Sequence, residues 1–211
     1  MIRVILCDDH ALIRRGIRDT LADAPDMRVV GEAGDYAALR GLLREHAGDV
    51  LVLDINLPGR SGLDVLHALK DEGSPIKVLV VSMYPEDQYA IRALRAGAYG
   101  YINKGGDPQA IVNAVRTVAQ GRKYVTPEIA QMLVDSLTAP ADELPHHKLS
   151  DRELQTLVLI ASGRRLSDIA EELLLSPKTV SVYRSRVLEK LQLANNSELT
   201  VYAIRNGLVG Q

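Results

Sequence analysis

Apolar and polar positions alternate in blocks along the first 120 residues. Arg3-Val4-Ile5-Leu6-Cys7 is a short run suited to a strand, Val29-Val30 is a weaker one, and Val50-Leu51-Val52-Leu53 and Val78-Leu79-Val80-Val81 are almost wholly apolar. Tyr99-Gly100-Tyr101-Ile102 is the fifth. Unbroken apolar runs suit strands buried on both faces, as in a parallel sheet. Helical spacing fills the intervals. Leu12, Ile13, Ile17 and Leu21 share a face, as do Ala37, Leu39, Leu42 and Leu43 less cleanly. Leu63, Leu66 and Leu69 form a third stripe, Ile91, Leu94 and Ala98 a fourth, and Ile111, Val115 and Val118 a fifth. Five strand–helix units predict a doubly wound α/β fold with a five-stranded parallel sheet. Its ligand site belongs beyond the carboxyl ends of the strands.

The pattern then changes to helices alone. Gly121-Arg122-Lys123 breaks the fifth helix, and Thr126-Pro127 predicts a short helix to Leu137. The stretch 138–147, Pro-rich and polar, reads as a flexible linker. His146 and His147 within it read as solvated, because no cluster with ligand spacing accompanies them. Ser150-Asp151-Arg152-Glu153 is a capping box opening a helix to Ser162, which Gly163 ends. Leu166–Leu173 forms a two-turn helix, Leu174-Leu175 a bridge, and Ser176-Pro177 starts a longer helix to Leu191. A last helix begins at Asn196-Ser197, and Gly207 closes it. Two helices joined by a tight turn over about 167–191 suggest a helix-turn-helix. The expected organisation is 1–121, a boundary region 122–147 with one short helix, and a small all-α four-helix domain 148–211.

Composition narrows the classes. The chain is 46% hydrophobic and 25% charged, which argues against extensive disorder. No apolar run approaches the roughly 18 residues of a membrane helix, and two aspartates come too early for a signal peptide. A single cysteine excludes an internal disulfide and a Cys-rich zinc site. These features predict a soluble cytoplasmic protein. Phe and Trp are absent, which disfavours the aromatic platforms of single-strand binders. The net charge of −2 divides into +2 from Lys148 onward and −4 before it, a division consistent with two jobs.

The strand-end rule selects candidate chemistry. Asp8 and Asp9 follow the first strand, Asp54 ends the third, Ser82 ends the fourth and Lys104 follows the fifth. Three carboxylates at one rim repel, so a hard divalent cation such as Mg²⁺ is their natural partner. Any one of these residues alone reads better as a strand-end polar group. Five at one edge do not.

With Leu57-Pro58-Gly59 and Ser61-Gly62 after the aspartate, this set resembles the receiver domain of two-component response regulators, a flavodoxin-like fold. The resemblance implies that Asp54 is the phosphoacceptor. It implies Mg²⁺ held by Asp9, Asp54 and the Asn56 backbone carbonyl, with Asp8 acting through water. Lys104 then pairs with phosphoryl oxygens, Ser82 hydrogen-bonds one of them, and Tyr101 stands at the aromatic switch position. Asn56 and Tyr84 are implied to influence dephosphorylation. A half-buried strand aromatic is the plainer reading of Tyr101.

On the long tail helix Val180, Tyr183, Val187 and Leu191 share the side expected to pack inward. Lys178, Ser181, Val182, Ser185 and Glu189 stand opposite, with Arg186 beside them. From Ser176 to Leu191 the balance is +3, which suits a major groove. Capped helices with polar outer faces also occur without DNA, so pattern alone leaves both readings open. The tail resembles LuxR-type DNA-binding domains through Leu149–Glu153, Ile169-Ala170, Leu173, Ser176, Thr179-Val180, Tyr183, Lys190-Leu191, Tyr202-Ala203 and Gly207–Val209. Receiver plus this domain is the NarL/FixJ class. That class implies DNA contacts by Lys178, Thr179, Ser181, Val182, Ser185 and Arg186, with Lys178 and Arg186 meeting phosphates. Ser181 stands where several relatives carry a lysine, so no operator sequence is carried over.

The implied partners are a sensor histidine kinase, double-stranded promoter DNA and a second copy in an activated homodimer, with RNA polymerase as a further candidate. The last helix, through Leu199, Tyr202 and Ala203, is the expected tail contact of that dimer, unless this side only completes the domain core. The implied catalysis is confined to the chain's own phosphorylation and dephosphorylation. An Mg²⁺-dependent phosphatase is disfavoured, because Asp8-Asp9 are adjacent where such enzymes carry Asp-x-Asp. A phosphorelay or interaction module that leaves DNA alone is the other alternative, and the filled helix-turn-helix pattern disfavours it.

Overall fold

The computed structural model describes residues 1–83, 86–138 and 144–209. Tyr84 and the linker stretch 139–143 lie outside the described residues. The chain divides into two compact units, Met1–Thr138 and Ala139–Gln211.

In the first unit, strands β1 (Ile2–Cys7), β2 (Met27–Ala33), β3 (Val50–Asp54), β4 (Lys77–Ser82) and β5 (Gly100–Asn103) form one parallel sheet in the order β2-β1-β3-β4-β5. The helices between and after them are α1 (Ala11–Ala22), α2 (Tyr36–Glu45), α3 (Gly62–Asp71), α4 (Glu86–Ala96) and α5 (Pro108–Ala119). The weak Val29-Val30 signal thus belongs to a seven-residue strand. Pairing with β1 supplies what local propensity lacks.

The pleat sends Val4, Leu6, Val50, Val52, Leu79 and Val81 to one face, where Ile17 and Leu21 of α1 and Ile111, Val115 and Val118 of α5 cover them. Each such side chain contributes about 1.5–3 kcal/mol by leaving water. Leu12 departs from its expected stripe: it is 87% exposed, because one residue turns a helix by about 100° away from the Ile13–Ile17–Leu21 line.

Residues 121–138 pack on this first unit. Tyr124 N donates to the Tyr99 carbonyl at 2.8 Å, and Tyr124 bridges Gly100 at the start of β5. Helix α6 (Pro127–Thr138) lies against α4, buries Ile129 and is capped by Thr126 Oγ1, which accepts from Ile129 N.

The second unit begins with a 3₁₀ turn, Pro145–Lys148, followed by α7 (Asp151–Ala161), α8 (Leu166–Glu172), α9 (Pro177–Leu191) and α10 (Asn196–Arg205). The Ser150–Glu153 capping box is present in both directions. Leu157, Ile169, Leu173, Val180, Val187, Leu199 and Ala203 are buried. His146 is not solvated linker: it is buried, with Nδ1 2.9 Å from the Tyr202 hydroxyl, while His147 stays exposed beside it.

Candidate metal centre and nucleic-acid interface

The strand order places β1 beside β3, with the α1 and α3 connections leaving their carboxyl ends. Asp8 continues β1, anchored by its N–H to the Ala33 carbonyl at 3.0 Å. Arg14 donates to the Asp8 carbonyl, and His10 N donates to Asp8 Oδ1 at 2.8 Å, so this carboxylate has one orientation. Asp54 ends β3 and is 1% exposed.

Helix α3 starts directly beside it. Ser61 caps α3, and Gly62 N donates to the Ile55 carbonyl at 2.8 Å. A Cβ on Gly62 would stand 2.2 Å from the Asp54 carbonyl oxygen. The Ser61-Gly62 pair therefore lets α3 close on the aspartate's own backbone.

Lys104 arrives from β5, its N–H bonded to the Ser82 carbonyl at 2.8 Å. Its ammonium is buried and lies 2.7 Å from both Asp8 Oδ2 and Asp54 Oδ2. Ser82 is fully buried at the end of β4. Tyr101 is fully buried in β5, not half-buried as the plainer reading expected.

Burial pushes the Asp54 carboxyl above the ordinary carboxylate range. The Lys104 ammonium opposes this, the Asp8 charge adds to it, and the Asn56 backbone helps the ionised form slightly. Burial also pushes the Cys7 thiol in β1 up to about 12, with the Asp54 and Asp8 charges adding to the effect.

Three carboxylates face one ammonium here, so the cluster carries excess negative charge. Apart from Lys104 and the weak help from Asn56, the Asp54 oxygens are buried and short of donors. Ligand atoms of Asp8, Asp9, His10 and Asp54 lie within 4.8 Å of one another. Opposite ligands of an octahedral ion at about 2.0–2.1 Å stand about 4.2 Å apart. The set is gathered to within about half an ångström of that span, so small side-chain shifts would let it hold one small divalent cation. His10 is the member that the strand-end rule missed. It follows the aspartates directly, and a lone histidine opening a helix gives no signal of its own.

The second unit carries the other candidate surface. Leu174, at φ 49°, makes the sharp turn between α8 and α9. Ser176 Oγ accepts from Thr179 N at 3.0 Å, and Pro177 occupies the first helical position. Val180, Val187 and Leu191 face inward, and Tyr183 is half-buried. Lys178, Val182, Ser185 and Arg186 are exposed and Ser181 is half-buried, so these five share the outward side of α9. Thr179 is set apart: its hydroxyl lies 2.8 Å from Ser176 Oγ, within the cap.

On α10 the expected contact side is corrected. Leu199 and Ala203 are fully buried, and Tyr202 is engaged with His146, so that side completes the domain core. The exposed apolar residues of α10 are Val201 and Ile204.

Comparison with known proteins gives two family matches. The model for the response regulator receiver domain matches residues 4–116, and that for bacterial regulatory proteins of the luxR family matches residues 147–203. The chain is 40% identical over 211 residues to response regulator GacA of Pseudomonas protegens, covering 99% of this chain and 98% of that one. It is 39% identical over 209 residues to response regulator UvrY of Escherichia coli, covering 99% and 96%. A solved structure of RcsB from Salmonella enterica serovar Typhimurium, bound to promoter rprA with the phosphomimetic BeF3⁻, is similar at TM-score 0.66 and 26% identity, covering 95% of this chain and 97% of that one. Among the described residues, no helix is long and apolar enough to cross a membrane.

Proposed function

Because the chain belongs to the response regulators that join a receiver domain to a LuxR-type DNA-binding domain, we propose that phosphoryl transfer to Asp54 controls promoter binding by α9. The protein is a DNA-binding transcriptional regulator of a two-component system. The observation that carries the residue assignment is the buried Asp54 carboxylate, held between Lys104 and the Asp8–Asp9 pair.

Asp9, Asp54 and the Asn56 carbonyl would hold Mg²⁺, and Asp8 would reach it through water. When bound, the ion masks carboxylate charge and orients the donor phosphate. An Asp54 carboxylate oxygen attacks phosphorus in line. The bond from phosphorus to the imidazole of a sensor histidine kinase, or to the leaving group of a small acyl phosphate, breaks. Lys104 exchanges its contact with Asp54 for the new phosphoryl oxygens, which bring about −1.5 to −2 charge. Ser82 donates to one of them, and the buried Tyr101 fills the space its movement frees.

This chemistry is self-directed, with no turnover of a separate substrate. A kinase donor and chromosomal DNA place the work in the cytoplasm. The outward side of α9 meets DNA: Ser181, Val182 and Ser185 read base edges, Lys178 and Arg186 meet phosphates, and Thr179 holds the cap beside the backbone. Phosphorylation favours a homodimer, whose paired recognition helices gain through effective concentration. Val201 and Ile204 on α10 are its proposed tail contact. RNA polymerase is the proposed recipient of the regulatory output.

Incubation of the full chain with acetyl phosphate and Mg²⁺ tests the assignment. One hydroxylamine-sensitive phosphoryl adduct is expected in wild type and none in Asp54→Ala. DNA affinity should rise with the adduct and fall steeply with salt, and Lys178→Ala should weaken all sequences alike. Full phosphorylation of Asp54→Ala, or salt-insensitive DNA binding, contradicts the proposal.

A further inference from the structure

We propose that His10 is a nitrogen ligand of the carboxylate pocket, so that this receiver takes Mn²⁺, Co²⁺ and related first-row transition ions with an affinity that its carboxylates alone would not give. The inference rests on the pocket reading above and adds a donor to it. Nδ1 of His10 lies 2.6 Å from Asp9 Oδ1 and 3.7 Å from Asp8 Oδ1. A ring nitrogen of His10 and one carboxylate oxygen each of Asp8, Asp9 and Asp54 lie within 4.8 Å of one another. Adjacent donors on a six-coordinate ion at about 2.1 Å stand about 3 Å apart, so His10 and Asp9 already sit close to that spacing.

Two further features point the same way. Asp54, 1% exposed, has Lys104 as its one cationic partner among the described residues, and that ammonium is shared with Asp8, so the buried carboxylates outnumber the charge that balances them and the cluster is more than a group of surface acids. His10 occupies the position preceding α1, where a side chain commonly caps the helix, yet its side chain makes no capping bond. Its backbone is instead fixed by the bond to Asp8 Oδ1, which places the ring at the pocket mouth. Mg²⁺ prefers oxygen and retains water, whereas imidazole suits the later first-row ions Co²⁺, Ni²⁺ and Zn²⁺, and Mn²⁺, though oxygen-preferring, accepts an imidazole beside carboxylates. A neutral imidazole can present one nitrogen to the ion and carry its proton on the other.

The test uses the full chain. Pulsed electron-spin-echo spectra with Mn²⁺ should show imidazole nitrogen modulation in wild type and none in His10→Ala or Asp54→Asn. By titration calorimetry, His10→Ala should lower Co²⁺ affinity about tenfold while Mg²⁺ affinity changes less than about twofold. His10→Gln should behave as His10→Ala, which separates the nitrogen ligand from the loss of a polar group. His10 is half exposed, so these variants keep the fold, and their native far-UV spectra would show it. Nitrogen modulation that persists in His10→Ala, or equal losses for Co²⁺ and Mg²⁺, overturns the proposal. So does the absence of modulation in a wild type that binds Mg²⁺ and Mn²⁺. If wild type binds no divalent ion at all, the pocket reading itself falls.

Discussion

Single side chains set the local electrostatics at both ends of the sheet. Opposite the metal-type pocket, Asp49 takes hydrogen bonds from Arg3 Nε at 3.1 Å, Arg3 Nη2 at 2.8 Å and the Arg3 backbone N–H at 2.8 Å. The guanidinium bonds hold its carboxyl down to about 2 from an ordinary 3.8. Between these values the unfolded chain binds the proton and the folded chain does not, so stability falls as pH drops through that window. The contribution is complete above about pH 5 and is modest, because Arg3 and Asp49 are partly solvated. Carboxyl NMR should place the Asp49 midpoint near 2, and Arg3→Gln should return it toward 3.8. At this scale the candidate site was partly legible. Asp8, Asp9, Asp54, Ser82 and Lys104 announce themselves because each follows an apolar run. That Lys104 bridges Asp8 and Asp54, and that His10 joins the cluster, depends on distances between strand ends that no spacing along the chain encodes.

At the scale of elements, the close approach of α3 to β3 is set by one missing side chain. Gly62→Ala would place a methyl 2.2 Å from the Asp54 carbonyl and 2.8 Å from Ile55 Cα, both backbone atoms that cannot turn aside. We expect a loss of about 1–3 kcal/mol in denaturant unfolding and slower acyl-phosphate labelling, because α3 must retreat and take Asp54 with it. Wild-type stability in this variant would contradict the packing described. The element order, the strands of the sheet and the helix starts at Ser150 and Ser176 were readable from caps and apolar periods, whereas the cap at Ser61 was not read as one. Helix faces were less so. Leu12 looked like part of the α1 stripe and is exposed, while Leu199 and Ala203 looked like a contact surface and are core. Periodicity finds an apolar side but not what covers it, and on a short helix neighbouring stripes overlap.

For the whole molecule, the segment after α5 decides how the first unit can be cut. Tyr124 extends the edge at Gly100, Lys123 Nζ reaches the Ala98 carbonyl at 2.5 Å and lies over the Tyr99 ring, and α6 buries Ile129. A fragment ending at residue 138 should unfold cooperatively, whereas one ending at 121 should melt earlier by several degrees, as measured by calorimetry. Equal melting would mean that residues 122–138 add nothing to the unit. The thiol of Cys7 offers a way to watch the same unit open. It is the only thiol of the chain, it is wholly buried in β1, and its ionisation lies near 12, so it is almost never a nucleophile while the sheet is closed. Alkylation by iodoacetamide therefore keeps time for sheet opening. Native protein should stay unmodified over hours at neutral pH, and labelling should appear in step with loss of the far-UV signal as urea is raised. A divalent ion bound between the ends of β1 and β3 should slow that clock without touching the sulfur, so a chemical stopwatch for the site is already built into its first strand.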